Sequence, residues 1–318
     1  MPREQLSVLA MGVVLGLSQL LAILVSGTFR DSGLQAFPQP ENPTNALVYI
    51  VMILVFTAVI LALVRYRRRD LVKYVILGSI FLTLVFVLLL PLLYGLYFLS
   101  PGLFDTDLGG NLATVLAFGV AGLLVVGLVK YPEWYVVDAV GLAVAVGVTA
   151  IMGISFGVLP AILLLTGLAV YDAWAVYRTK HMVALADELT TQRLPVLLVI
   201  PKRANYSFRA QKGLKEQLES GEDREAMFIG LGDLIIPGVM SVSAFNFLSP
   251  SVTFLGVPGH VAVALMTVVG SLVGFAVLMR FVVRGNPQAG LPLLNGGAIA
   301  GFLVGSVSVY GSLTAGIL

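Results

Sequence analysis

Nine stretches of the chain are apolar for long enough to cross a lipid bilayer as a helix. A transmembrane helix needs about 20 predominantly apolar residues, and polar segments rich in Gly, Pro or charged residues separate these stretches. The predicted spans are residues 6–26, 46–64, 74–98, 112–129, 134–152, 158–177, 226–246, 259–279 and 291–311. The pattern predicts an all-α polytopic membrane protein with nine transmembrane helices.

Composition agrees with this class. The chain is 58% hydrophobic and 11% charged, with a mean hydropathy of +0.98, which excludes an ordinary soluble domain. We expect one membrane domain over residues 1–318, in which 1–177 holds six spans, 178–225 forms a loop and 226–318 holds three spans. The first apolar run has no convincing small-residue cleavage site, so it predicts a retained span and not a signal peptide.

Positive charge predicts the orientation. Of the 19 Lys and Arg residues, all except Arg30 fall in loops on one side of the predicted membrane. Basic residues accumulate in cytoplasmic loops, so the N-terminus is expected inside and the C-terminus outside. A net charge of +2 does not suggest nucleic-acid binding.

The loop 178–225 is the longest polar segment. It contains one apolar run, Leu194–Ile200, which is too short to span a membrane. This run is strand-prone or interfacial, and we favour a linker embedded in the membrane surface. The residues that follow it, 202–225, are rich in charge and predicted to be solvated.

Two aspartates lie inside predicted spans. Asp172 lies six residues before Arg178, at the inner end of the sixth span, and Asp233 lies seven residues after Ala226, where the seventh begins. At 1.5 Å per helical residue, both lie about 10 Å from the inner ends of their spans. A third acid, Asp138, is close enough to its span's end for its side chain to reach the interface. Because an ionised Asp in a membrane helix costs about 2.5–3.5 kcal/mol, the deeper pair needs a function.

Small residues and prolines surround this predicted pair. Gly230 and Gly232 precede Asp233 and allow another backbone to approach. Pro237 cannot donate a hydrogen bond to the carbonyl four residues earlier, which belongs to Asp233. The segment 285–297, before and within the ninth span, holds two prolines and several glycines. It predicts an irregular start of that span near the carboxylates, although a turn followed by a helix beginning with proline is also compatible.

At these residues the chain resembles the presenilin and signal peptide peptidase family of intramembrane aspartyl proteases, in a form similar to archaeal presenilin homologues. Tyr171-Asp172 matches the family's Tyr-Asp motif, Gly230-Leu231-Gly232-Asp233 its Gly-x-Gly-Asp motif, and Pro292-Leu293-Leu294 replaces its Pro-Ala-Leu motif with a central Leu. The resemblance implies that Asp172 and Asp233 are catalytic. It also implies that residues of the three motifs line the substrate site: Tyr171, Gly230, Leu231, Gly232, Pro292, Leu293 and Leu294.

The resemblance further implies the setting of the reaction. We expect single-pass transmembrane substrates within a lipid bilayer, no cofactor, and a multi-pass location in the cell membrane of a prokaryote, with homo-oligomerisation left open. A zinc protease needs a motif such as His-Glu-x-x-His, and the two histidines, His181 and His260, do not form one.

A proton- or ion-coupled transporter or channel is the alternative function, because intramembrane aspartates also serve as ion relays. Such proteins commonly contain internal repeats with paired broken helices, and the sequence shows no convincing repeat. The protease is therefore the favoured interpretation.

Overall fold

Helices make up most of this computed structural model, which describes residues 3–66, 69–103, 107–179, 197–202, 206–208, 226–283 and 288–313. In this part of the chain, nine α-helices follow one another: α1 (Arg3–Asp31), α2 (Thr44–Arg65), α3 (Arg69–Leu99), α4 (Asp107–Lys130), α5 (Trp134–Ser155), α6 (Val158–Trp174), α7 (Leu231–Phe247), α8 (Gly259–Val282) and α9 (Gly290–Tyr310). The prediction of a mostly helical fold is confirmed.

Eight of these helices are long and apolar enough to cross a membrane, α6 when its helical continuation to Arg178 is included, and α7, with 17 residues, is shorter. Many large apolar side chains lie on the outside of the bundle, such as Leu24 with 76% and Phe98 with 90% exposure. Exposed apolar surface on this scale needs a covering, and hydrocarbon provides it.

Two short sheets depart from the predicted all-α class. Strand β1 (Leu197–Pro201) pairs antiparallel with β2 (Ala226–Gly230), with Val199 opposite Phe228. A second hairpin joins β3 (Thr253–Phe254) to β4 (Val257–Pro258). The predicted start of the seventh span at residue 226 was therefore wrong, because residues 226–230 are a strand. A short apolar run has no periodicity that separates a buried strand from a helix.

Burial of β1 also overturns the predicted surface linker. Leu198 and Val199 are 2% and 0% exposed, and they pack into two different core clusters of the bundle. Residues 194–196 of the predicted apolar run lie outside the described residues, as does most of the predicted solvated segment 202–225.

Helix α7 occupies the centre of the bundle. It contacts α1, α5, α6, α8 and α9, and every residue from Ile236 to Ala244 is buried. A helix that is apolar on all sides is buried on all sides, which explains how a helix as short as α7 is held in place. Its first turn carries Asp233, so this central position places the carboxylate inside protein.

Helices α8 and α9 pack with their backbones in contact. A Cβ atom on Gly270 or Gly274 of α8 would collide with the α9 backbone, and one on Gly297 or Gly301 of α9 would collide with α8. Small residues permit such close helix pairs in membranes. This contact holds the beginning of α9 beside the bundle core.

Candidate active site

Asp172 lies on the buried face of α6, close to the end of the helix. Leu164, Leu168 and Asp172 are spaced by four residues and therefore share one side of the helix, and all three are buried. The aspartate has only 6% of its surface exposed. The α-helix ends at Trp174 and continues as a π-helical turn, Ala175–Thr179.

Asp233 lies just past the junction between β2 and α7. Strand β2 ends at Gly230, whose extended backbone precedes the first helical residue, Leu231. A Cβ atom added to Gly230 would lie 3.3 Å from Oδ2 of Asp233. The Gly-x-Gly-Asp motif therefore forms a strand-to-helix turn that closes on its own aspartate.

This junction corrects the depth that the sequence predicted for Asp233. Residues 226–230 are extended and rise by about 3.3 Å each, so the helical rise of 1.5 Å was the wrong measure for them. Asp233 belongs to the first turn of α7, and its position depends on the strand before it.

Helix α9 begins between the two carboxyl groups. The backbone N–H of Leu291 donates to Oδ2 of Asp172 at 3.1 Å. A Cβ atom added to Gly290 would lie 2.9 Å from Oδ1 of Asp233. Both carboxyl groups thus converge on the Gly290–Leu291 backbone, close enough to interact electrostatically.

The N-terminus of a helix suits this position. Its first N–H groups have no partner within the helix, and they attract negative charge. Pro292 lacks an N–H and fits the first turn for that reason. Of the two expectations for this segment, the second is the nearer one: residues 290–294 are helical, although the helix begins at Gly290 and Pro292 is its third residue. Residues 284–287 lie outside the described residues.

The predicted substrate-binding residues have different surroundings. Gly232 is exposed, and a Cβ atom there would meet nothing within 4 Å, so open space adjoins Gly232 itself. Tyr171 is partly buried, with its ring 6.4 Å from that of Trp174. Leu294 is fully buried and packs in the core. The remaining four predicted residues are partly buried: Gly230, Leu231, Pro292 and Leu293.

Three residues of this region were not predicted to have a role. Gly290 supplies the close approach to Asp233. Asn295 is fully buried, and its Nδ2 donates to the carbonyl of Leu165 on α6 at 2.9 Å. Asp138, interpreted from the sequence as an interfacial side chain, accepts a hydrogen bond from Val199 of β1 at 2.7 Å. Asn295 could have been singled out from the sequence, because it is a polar residue within an apolar span.

Comparison with known proteins decides the family. The model of the family described as "Signal-peptide peptidase, presenilin aspartyl protease" matches residues 11–310. The chain belongs to this family. The presenilin and signal-peptide peptidase family is one of aspartic endopeptidases, and the helices of this member make it an integral, multi-pass membrane protein.

Solved structures of a presenilin family intramembrane aspartate protease share this fold. The structure in space group C222 has a TM-score of 0.65 and 35% sequence identity, and the alignment covers 95% of this chain and 99% of that chain. For the structure in space group P2, the TM-score is 0.63, the identity 36% and the coverage 94% and 97%. Among curated proteins, no match to this chain was found.

Proposed function

We propose that the enzyme hydrolyses peptide bonds within transmembrane helices and that Asp172 and Asp233 are its catalytic pair. The observation that carries this proposal is the convergence of both carboxyl groups on the start of α9, at Gly290 and Leu291. Membership of a family of aspartic endopeptidases supports proteolysis over the alternative of a transporter or channel.

Two carboxyl groups at one site can perform the hydrolysis. Two negative charges close together in a low dielectric repel each other, so the pair shares one proton. The ionised member removes a proton from water as the water oxygen attacks the peptide carbonyl. The protonated member donates to the carbonyl oxygen, and a proton passes to the leaving nitrogen as the tetrahedral diol collapses. Since the two groups titrate as a unit, neither is assigned as the base.

The sheet beside Asp233 offers a place for an unwound substrate. In an antiparallel pair, the N–H and C=O of one residue point to the same side of its strand. The N–H of Val199 points away from β2, to Asp138, so its partner Phe228 points its own N–H and C=O away from β1. Gly230 lies two residues after Phe228 in the strand, so its N–H and C=O also point away from β1, and a Cβ atom added to it would lie 3.3 Å from Oδ2 of Asp233.

The outward-facing groups of Phe228 therefore lie on the same edge of β2 as Asp233. A helical substrate hides its peptide carbonyls and must unwind before cleavage. An extended segment of the substrate that pairs with Phe228 would gain the backbone hydrogen bonds that it lost on unwinding. Residues 291–294, a second candidate for such pairing, are helical and do not offer a strand edge.

The proposed topology has nine spans in one domain, with the N-terminus inside and the C-terminus outside. Its support is the charge distribution together with contacts between helix ends. Arg30, at the end of α1, donates to the carbonyl of Asn246 at the end of α7. Ser155, at the end of α5, accepts from the backbone of Ala36, just after α1. Helices α1, α5 and α7 thus end on the same face of the bundle. This is expected if successive helices cross the membrane in opposite directions, since all three are odd-numbered.

The substrate class follows from this orientation and from the family. We propose single-pass membrane proteins with their N-termini outside, cleaved within the bilayer of a prokaryotic cell membrane. Homo-oligomerisation is compatible with the proposal but is not required by it, since both carboxyl groups belong to one chain.

The central test is cleavage of a transmembrane peptide by the purified protein in detergent, with products identified by mass spectrometry. Asp172→Asn and Asp233→Asn should each abolish cleavage while the protein still folds. Asp31→Asn is the matched control, because Asp31 is exposed at the end of α1. Full activity of either dyad variant would refute the aspartyl mechanism, and ion transport by a protein without proteolysis would favour the alternative.

The strand edge has its own test. Phe228→Pro removes the outward N–H without breaking the ladder to β1, because proline is tolerated where the N–H faces away from the sheet. Phe228→Ala loses the same side chain and keeps the N–H. We expect kcat/KM to be lower for the proline variant than for the alanine variant, and equal values would exclude pairing at this position.

A further inference from the structure

Helix α5 carries a carboxylate that holds strand β1. Oδ1 of Asp138 accepts a hydrogen bond from the backbone N–H of Val199 at 2.7 Å. Val199 is the central residue of β1, and its side chain is fully buried. The bond therefore joins α5 to the middle of the strand.

A second feature of α5 fits the neighbouring residue. Gly141 follows Asp138 by three residues, so both lie on one side of the helix. A Cβ atom on Gly141 would lie 2.6 Å from Cδ2 of Leu198 and 3.4 Å from Cδ2 of Leu231. The absent side chain makes room for Leu198, directly beside the residue that Asp138 binds.

The start of α5 holds the chain beyond β1 as well. The carboxylate of Glu133 accepts hydrogen bonds from Oγ of Ser207 at 3.0 Å and from the N–H of Phe208 at 3.2 Å. Glu133, Asp138 and Gly141 thus define a docking surface on α5. This surface contacts both described parts of the segment 197–208, which are residues 197–202 and 206–208.

This surface acts on the edge of the sheet that faces away from β2. An unpaired strand edge is a template for another strand. On the outer edge of β1, the central donor is the N–H of Val199, and Asp138 already accepts its hydrogen bond. The open donor and acceptor of Phe228 belong to the opposite edge, on β2. The bond to Asp138 accordingly favours addition of a strand on the side of Asp233.

We propose that Asp138 is a positioning residue, which sets the register of cleavage by fixing the sheet that carries the Gly230–Asp233 turn. This inference rests on the proposed proteolytic function. Asp138 holds β1, β1 pairs with β2, and β2 ends at Gly230, where an added Cβ atom would lie 3.3 Å from Oδ2 of Asp233. Release of β1 would let β2 and the substrate paired with it shift relative to the carboxylates.

The test compares Asp138→Ala with Asp138→Asn in the full-length protein. Asparagine keeps an acceptor oxygen within reach of the Val199 N–H, whereas alanine has none. With a transmembrane peptide as substrate, the alanine variant should lose at least tenfold in kcat/KM and cleave at several neighbouring bonds. The asparagine variant should stay within threefold of the wild type and keep its main product.

A merely structural role would lower thermal stability without changing where the peptide is cut. An alanine variant with wild-type products and wild-type kcat/KM would therefore overturn the inference. Val199→Pro removes the donor and keeps the carboxylate. It should cause the same spread of products, and adding Asp138→Ala to it should cause little further change.

Hydrogen exchange tests the bond independently of proteolysis and of any variant. In the wild-type protein, the Val199 amide should exchange slowly even though it lies on the outer edge of a two-stranded sheet. Fast exchange there would overturn the inference regardless of activity. If the wild type cleaves no transmembrane peptide but protects this amide, the proposed function fails and the docking of β1 on α5 stands.

Discussion

Replacing Gly290 with alanine is expected to lower the rate of the enzyme roughly tenfold without unfolding it. The added Cβ atom would lie 2.9 Å from Oδ1 and 3.2 Å from Cγ of Asp233. Ordinary contact begins at about 3.4 Å, so the carboxyl group must move by roughly half an ångström or more. Because Asp233 is a short side chain in the first turn of α7, this movement displaces the reacting atoms themselves.

The expected size of the effect follows from that displacement. A misplacement of about 1 Å can cost about a hundredfold in rate, so half of this distance corresponds to roughly tenfold, or about 1.4 kcal/mol in the barrier. Folding is affected in the opposite direction, because alanine restricts the unfolded chain more than glycine and stabilises a protein by about 0.4–1 kcal/mol where its backbone conformation is allowed, and Gly290 has no positive φ. Loss of activity with unchanged or raised stability is therefore the expected signature.

Gly296→Ala is the matched control for this prediction. Gly296 lies on the same helix, and a Cβ atom there would meet nothing within 4 Å. Cleavage of a transmembrane peptide and thermal unfolding in detergent should be measured for both variants, with binding of a diol that mimics the tetrahedral intermediate as a third measurement. We expect weaker diol binding and at least tenfold lower kcat for Gly290→Ala alone.

Wild-type kcat and diol affinity in Gly290→Ala would refute the reasoning. Such a result would show that the start of α9 is not in contact with the working carboxyl pair. Equal losses in Gly290→Ala and Gly296→Ala would refute it as well, because the effect would then belong to the helix and not to Asp233.

Two further predictions concern helix packing and topology. Asn295→Leu should lower the free energy of unfolding by about 1 kcal/mol, because the hydrogen bond from Nδ2 to the Leu165 carbonyl is lost. An unchanged midpoint of thermal unfolding in detergent would show that this bond does not hold α9 to α6. In the chain, which has no native cysteine, Ser220→Cys should be labelled by an impermeant thiol reagent only from the cytoplasmic side and Ser251→Cys only from outside. Labelling of both from one side would contradict the nine-span topology.

Several features of the site could be predicted from local sequence. Asp172 and Asp233 stand out because charge in an apolar span is costly, and the length of each apolar run places its helix within a few residues. Gly230 and Gly232 are also distinctive in the sequence, because they lie within the three residues before one of these acids. These features depend on the composition of short segments, which a sequence shows directly.

The sequence by itself thus determined a mostly helical membrane protein, its family and the two candidate carboxylates. Tertiary structure alone decided that Ala226–Gly230 is a strand, because its partner, Leu197–Pro201, lies more than 20 residues away along the chain and a short apolar run suits a strand or a helix equally. It also decided that Gly290 adjoins Asp233 and that Asp138 binds Val199. Such contacts depend on how distant segments pack, and local periodicity carries no information about that packing.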